Sequence, residues 1–146
     1  MPTTDRPLSL PDVNVLVALT NASHLHHHEA HRWLAAIERF ATTPLTESGL
    51  VRMLLNPAVV GRTVSSRAAL EVLTGVRADP RARFLTDDSS LAEASVDTTG
   101  LAGHKQAADW HLLNLAARHD AVLVTFDRGI ARAALPADAA RIVTLT

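Results

Sequence analysis

Leu8-Ser9-Leu10-Pro11-Asp12-Val13-Asn14-Val15-Leu16-Val17-Ala18-Leu19 joins two kinds of structure at a single carboxylate. Leu8, Ser9 and Leu10 are apolar enough for a short buried strand, and the residues after Asp12 continue as a compact apolar helix. Asp12 therefore stands at the carboxyl end of a strand. In open α/β sheets that edge is where ligands bind, because loops and helix amino termini leave a crevice there. An aspartate at this point also suits the N-cap of the following helix, where it accepts backbone N–H bonds. Other acids converging on the same edge would separate the two roles.

Working outward, the clearest strand is Ala121-Val122-Leu123-Val124-Thr125, a continuous apolar run of the kind that a central parallel strand needs when both faces are covered. It ends in Phe126-Asp127, a second acid just past a strand. Ala41 to Leu45 reads as another short strand, followed by Thr46-Glu47-Ser48-Gly49 and a helical run from Leu50 to Leu55. Glu47 repeats the placement of Asp12, although a first-turn glutamate is also favoured by the helix macrodipole. Ala108, Leu112, Leu115 and Ala116 give a helical face with Asp109 in its early turns, where an aspartate beside an apolar face needs a cap role or a cation.

The remaining elements fit between these. Ala30, Trp33, Leu34 and Ile37 define a helix from about His27 to Arg39, and Ala68, Ala69, Val72, Leu73 and Val76 give the face of another from Thr63 to about Val76. Arg83 to Thr86 reads as a strand, Asp87-Asp88-Ser89-Ser90 as a turn capping a short helix, and Arg141 to Leu145 as a last strand. A helix through Ile130 and Ala134 stops at Pro136. Strands alternating with helices predict a three-layer α/β/α fold, with a central, mostly parallel sheet of four or five strands formed by residues 1–146 as one domain.

Composition sets outer bounds. The chain has 146 residues, is 47% hydrophobic and contains no cysteine, so neither disulfides nor thiolate metal sites are available to it. The segment Met1 to Pro7 has no apolar core of the signal-peptide kind, and no stretch approaches the roughly 20 apolar residues that span a bilayer. These features fit a soluble protein of the reducing cytoplasm. Net charge is -1, which decides nothing about nucleic acid, since phosphate binding needs only a local basic face.

Asp12, Glu47 and Asp127 on one sheet edge, with Asp109 reaching it from a helix, place four carboxylates together. At about 4 Å and an effective dielectric of about 20, two such charges repel by roughly 4 kcal/mol, so the group must protonate, take a basic partner or bind cations. Oxygen donors alone favour Mg²⁺ or Mn²⁺ over zinc. A hard divalent ion in such a pocket suits phosphodiester hydrolysis. The cluster His24-Leu25-His26-His27-His28, with His31, includes an i, i+4 pair of the zinc-binding kind; the histidines straddle a turn, and the reading adopted is a solvated helix entrance.

Asp12-Val13-Asn14-Val15-Leu16, Pro44-Leu45-Thr46-Glu47 with Gly49-Leu50-Val51-Arg52, Ala108-Asp109-Trp110-His111-Leu112-Leu113-Asn114-Leu115-Ala116 and Val124-Thr125-Phe126-Asp127-Arg128 together resemble the PIN-domain ribonucleases, and among them the VapC-type toxins of toxin–antitoxin pairs. The resemblance implies an endoribonuclease using Mg²⁺ or Mn²⁺, acting on structured RNA such as transfer or ribosomal RNA, neutralised by a VapB-type antitoxin, and dimeric. It carries an acidic quartet onto Asp12, Glu47, Asp109 and Asp127, and a supporting role in orienting the first acid onto Asn14 and Thr125. Ala108 departs from the threonine or serine that relatives often carry before the third acid. Arg52, Lys105, Arg128 and Arg132 are the candidates for holding RNA phosphates.

Three other functions compete. A phosphoaspartyl phosphatase needs a second carboxylate two residues after the first, where this chain has Asn14. A receiver domain needs a lysine at a late strand end, and Lys105, the sole lysine, precedes Asp109. A non-catalytic module that keeps the fold and acts through a protein partner is the strongest rival.

Overall fold

A computed structural model describes residues 6–146; residues 1–5, and with them most of the amino-terminal segment considered above, lie outside the described part. Its centre is a parallel sheet of five strands: β1 (Leu8–Pro11), β2 (Phe40–Thr42), β3 (Ala82–Phe84), β4 (Ala121–Thr125) and β5 (Ile142–Thr144). The order is β3-β2-β1-β4-β5, and every neighbouring pair is parallel. Both faces are covered by helices, giving the α/β/α layering that the alternation of elements predicts.

The order of strands fixes where a ligand goes. After β1 the chain winds to one side, to β2 and β3, whereas β4 and β5 lie on the other, so the winding reverses between β1 and β4. At such a reversal the connections leave in opposite directions and open a crevice at the carboxyl ends of the two strands. Pro11 pairs with Val124 in the register of β1 and β4, which brings the residues following each strand to the same edge.

The helices are α1 (Val13–Thr20), α2 (His27–Ala36), α3 (Pro44–Leu54), α4 (Pro57–Val60), α5 (Ser66–Ala78), α6 (Ala107–Arg118), α7 (Gly129–Ala133) and α8 (Pro136–Ala139). On one face α6 packs Trp110, Leu112, Leu113 and Leu115 against Leu10 and Leu123. On the other, Leu16 and Val17 of α1 meet Leu50 and Leu54 of α3. Close approach of α1 and α3 depends on Gly49, where an added Cβ would lie 2.5 Å from Val13 Cγ2.

Several boundaries differ from the expectation for physical reasons. The strand expected at Ala41 to Leu45 ends at Thr42, because Thr43 caps α3 and Pro44 takes its first position, where a missing N–H costs nothing. The α3 helix therefore begins six residues before Leu50. Asn56-Pro57 does not merely end a helix; the Asn56 side chain caps the short α4. The run from Leu91 to Ala94 is a single 3₁₀ turn, Leu91–Glu93, and Pro136 opens α8 rather than only stopping α7. No helix among the described residues is long and apolar enough to cross a membrane.

Candidate functional site

Asp12 is 3% exposed and is held at every side. Its backbone N–H donates to Val124 O at 2.9 Å, tying the end of β1 to β4. Carboxylate oxygen Oδ1 accepts from Val15 N–H at 2.9 Å, capping α1, and Oδ2 accepts from the Thr125 hydroxyl at 2.6 Å. The cap and the site are thus the same carboxylate, one oxygen serving each. Burial pushes its pKa above the ordinary carboxylate range; the bonds from Thr125 and Val15 oppose that shift and the charge of Asp127 adds to it.

Thr125, fully buried at the end of β4, also accepts from Asp127 N–H at 3.0 Å, so one hydroxyl sets the positions of two acids. Asp127 Oδ1 accepts from Gly129 N–H at 2.7 Å at the start of α7. Asp109 lies in the first turn of α6, where the helix macrodipole favours an acid. It is partly buried, and desolvation, followed by the charges of Asp12 and then Asp127, pushes its pKa up to about 6. That coupling is the electrostatic sign that Asp12, Asp109 and Asp127 share one site.

Asp12 and Asp109 line an open cavity of about 410 Å³, together with Asn14, Ser48, Gly49, Arg52 and Lys105. Asn14 bears on Asp12 through its backbone N–H, while its side chain faces the cavity. Arg52 and Lys105 enter no ion pair among the described residues, nor do Arg128 and Arg132, which are exposed next to Asp127 but do not line the cavity.

Glu47 is placed differently. Leu45, Ser48, Gly49 and Arg52 present the cavity-facing stripe of α3, with the i, i+3, i+4, i+7 spacing of one helix face. Glu47 lies outside that stripe. Its Oε2 accepts from the Thr42 hydroxyl at 2.7 Å, and Oε1 lies 3.5 Å from Arg77 Nη1 of α5. Neither Arg77 nor Thr42 is signalled by any sequence motif; finding them requires knowing that α5 packs on α3.

The residues read as bystanders have structural partners. Asp87 meets His111 at 2.5 Å, and Asp88 meets both Arg118 and His119, pinning the 87–90 turn to α6. His27 Nδ1 lies 2.7 Å from Ala18 O and His31 Nε2 2.9 Å from Leu19 O. These two rings therefore serve carbonyls left open at the carboxyl end of α1, which any helix end must otherwise give to water.

Donor chemistry at the acids fits a hard divalent cation. Desolvation, and after it the charges of Asp12 and Asp127, raise Asp109 to about 6, and bound positive charge would relieve both. Among the described residues, no three His, Asp or Glu side chains are drawn into a ready-made cage, so any ion would gather them further.

A family model for the PIN domain matches residues 9–135. Ribonuclease VapC38 of Mycobacterium tuberculosis (strain ATCC 25618 / H37Rv) is 43% identical over 125 residues, covering 84% of this chain and 87% of that protein. Ribonuclease VapC29 of the same strain is 41% identical over 123 residues, with 84% and 87% covered. Among solved structures, the crystal structure of M. tuberculosis VapC20, titled as a Sarcin-Ricin loop cleaving toxin, superposes with a TM-score of 0.60 at 15% identity, covering 87% of this chain and 96% of the other. At that identity the match speaks for the fold.

Proposed function

We propose, from the premise that this chain belongs to the PIN-domain family, that it is a toxin endoribonuclease of the VapC type that hydrolyses RNA phosphodiester bonds. The observation that carries the reading is the convergence of Asp12, Asp109 and Asp127 at the reversal between β1 and β4, where burial first, and then the charges of Asp12 and Asp127, push Asp109 up to about 6. Relatives named as ribonucleases support it.

In this reading Asp12, Asp109 and Asp127 hold Mg²⁺ or Mn²⁺, with Glu47 as the fourth acid of the set. The ion, when bound, supplies Lewis acidity that makes water nucleophilic at neutral pH and offsets charge developing at phosphorus. The chain's own residues do the rest. Thr125 keeps Asp12 Oδ2 and the Asp127 backbone in fixed relation, so two of the acids cannot drift apart. Arg52 and Lys105, on the cavity wall, take the phosphates flanking the scissile bond, while Arg128 and Arg132 extend the cationic track past Asp127. Transfer or ribosomal RNA is the proposed substrate class, a VapB-type antitoxin the proposed inhibitor, and a homodimer the proposed assembly.

One observation favours a second reading, a non-catalytic module acting through its protein partner: Glu47 is gripped by Thr42 and Arg77 rather than aimed at the cavity. Incubating the purified chain, free of antitoxin, with total RNA separates the two. The nuclease cleaves with Mg²⁺ or Mn²⁺ and stops in excess EDTA; cleavage undiminished by EDTA, or none across a broad RNA panel with either ion, overturns the proposal. Isothermal titration of Mn²⁺ adds the metal question directly, with weaker binding expected on Asp109→Asn.

A further inference from the structure

Phe126 lies in the chain between Thr125, whose hydroxyl holds Asp12, and Asp127. On one side it packs against the buried group that includes Val15 and Trp33. On the other, the His26 ring stacks on it, with centroids 4.5 Å apart and planes 21° from parallel. The His26 side chain remains 38% exposed. Leu25, next in the same turn, is 88% exposed, the largest exposure among the large apolar side chains described.

This turn is built rather than loose. Asn21, itself 4% exposed, accepts from both the N–H and the hydroxyl of Ser23. His24 Nδ1 accepts from His26 N–H at 3.0 Å, which sets the orientation of the His26 backbone. The following helix is tied to α1 through His27 and His31. A stacked pair of rings, with an apolar side chain left in water in the same turn, therefore stands preformed. Among the other Phe, Trp and Tyr rings, little surface is free: the chain has no tyrosine, Trp33, Trp110 and Phe40 are buried, and Phe84 lies beneath the Arg77 guanidinium.

We infer that His26, backed by Phe126 and flanked by Leu25, is a stacking seat for an unpaired nucleobase of the RNA whose phosphodiester lies at the acids. The inference rests on the ribonuclease reading above and adds a subsite to it. Every base has an apolar π face, so a ring seat binds bases with little regard to identity, but only those free of their own helical neighbours. The seat accordingly selects nucleotides in loops and single strands over paired ones, in keeping with how proteins read RNA. Phe126 directly precedes Asp127 in the chain, so on the ribonuclease reading a base seated on His26 belongs to the same bound strand.

Binding of a short fluorescein-labelled single-stranded RNA of mixed sequence, read by anisotropy in an Asp12→Asn background that leaves the RNA whole, tests the seat. His26→Ala weakens binding roughly 5- to 100-fold, the range that loss of a base stack produces, and His26→Phe restores it. The same RNA annealed into a duplex shows no such difference. His26→Trp adds a readout that a merely structural role would not move: its emission is quenched when the single strand binds, against the buried Trp33 and Trp110. Equal binding by His26→Ala and its parent, or failure of His26→Phe to restore it, overturns the seat while leaving the nuclease reading intact. Absence of RNA binding and of cleavage by the unmutated chain overturns both.

Discussion

Replacing Asp109 with asparagine should make the metal-free protein more stable at neutral pH, although it removes an acid of the proposed active site. Asp109 is pushed from 3.8 up to about 6 by desolvation and by Asp12 and Asp127. A carboxylate whose folded pKa lies above its unfolded value weighs against folding once the unfolded chain begins to ionise. Below about pH 4 both states are protonated and no penalty exists; it grows as pH rises between the two values and is complete above about pH 6. A gap of about two units corresponds to about 3 kcal/mol at 1.36 kcal/mol per unit. Since Asp109 is partly exposed, solvent screening reduces the expected effect to about 1 to 2 kcal/mol. Asparagine keeps the shape and cannot ionise. Urea denaturation in EDTA should therefore show Asp109→Asn ahead by that amount at pH 7.5 and level with the parent near pH 4. Addition of Mg²⁺ should raise the parent and leave the variant nearly unmoved, because the ion relieves the repulsion that the mutation has already removed. A variant less stable than its parent at pH 7.5, or a gain of equal size at pH 4, would refute the argument that the three acids strain one another.

Three further outcomes can be checked with the same preparations. Asp12→Asn keeps an acceptor for Val15 N–H, so its circular dichroism melt should stay within a few degrees of the parent while RNA cleavage falls by more than about 100-fold, as expected for loss of a charge that holds the ion. Thr125→Val, nearly the same shape, removes the donor to Asp12 and the acceptor for Asp127 N–H; urea midpoints should show a loss of about 1 to 3 kcal/mol, largely recovered by Thr125→Ser. Gly49→Ala drives a methyl into Val13, a stiff β-branched side chain, and should lower stability by about 1 to 3 kcal/mol in the same assay.

How far the sequence could be read depended on whether a feature was local. The β4 strand was legible at its observed bounds because Ala121 to Thr125 is a continuous run of strand-forming residues between a turn and an acid. The placement of Asp12 and Asp127 at the sheet's carboxyl edge was legible because each follows a strand whose end the hydrophobic pattern marks. Asp109 drew notice because an aspartate beside an apolar helical face lacks an obvious local partner. Glu47 is where local reading ran short. Its chain position repeats that of Asp12, yet Pro44 starts α3 early, so the helix has already turned Glu47 off the cavity-facing stripe before the apolar run begins. The pairings of Asp87 with His111 and of Asp88 with His119 join turn to helix across intervals of 24 and 31 residues, and no spacing rule reports such contacts. The histidines of α2, read from sequence as a solvated helix entrance, include two whose partners, the carbonyls of Ala18 and Leu19 at the end of α1, come into view only in the fold.

The bond between Asp12 and Thr125 spans 113 residues of chain. β1 thus waits for β4, made long after it, before its neighbour on that side exists. Parallel pairing at such separation is slow to form, since a long loop must close before any contact rewards it. A nascent chain that stalls before β4 carries Asp12 but neither Thr125 to hold it nor Asp127 beside it. On the nuclease reading, the acids therefore come together only once β4 and Asp127 have been made.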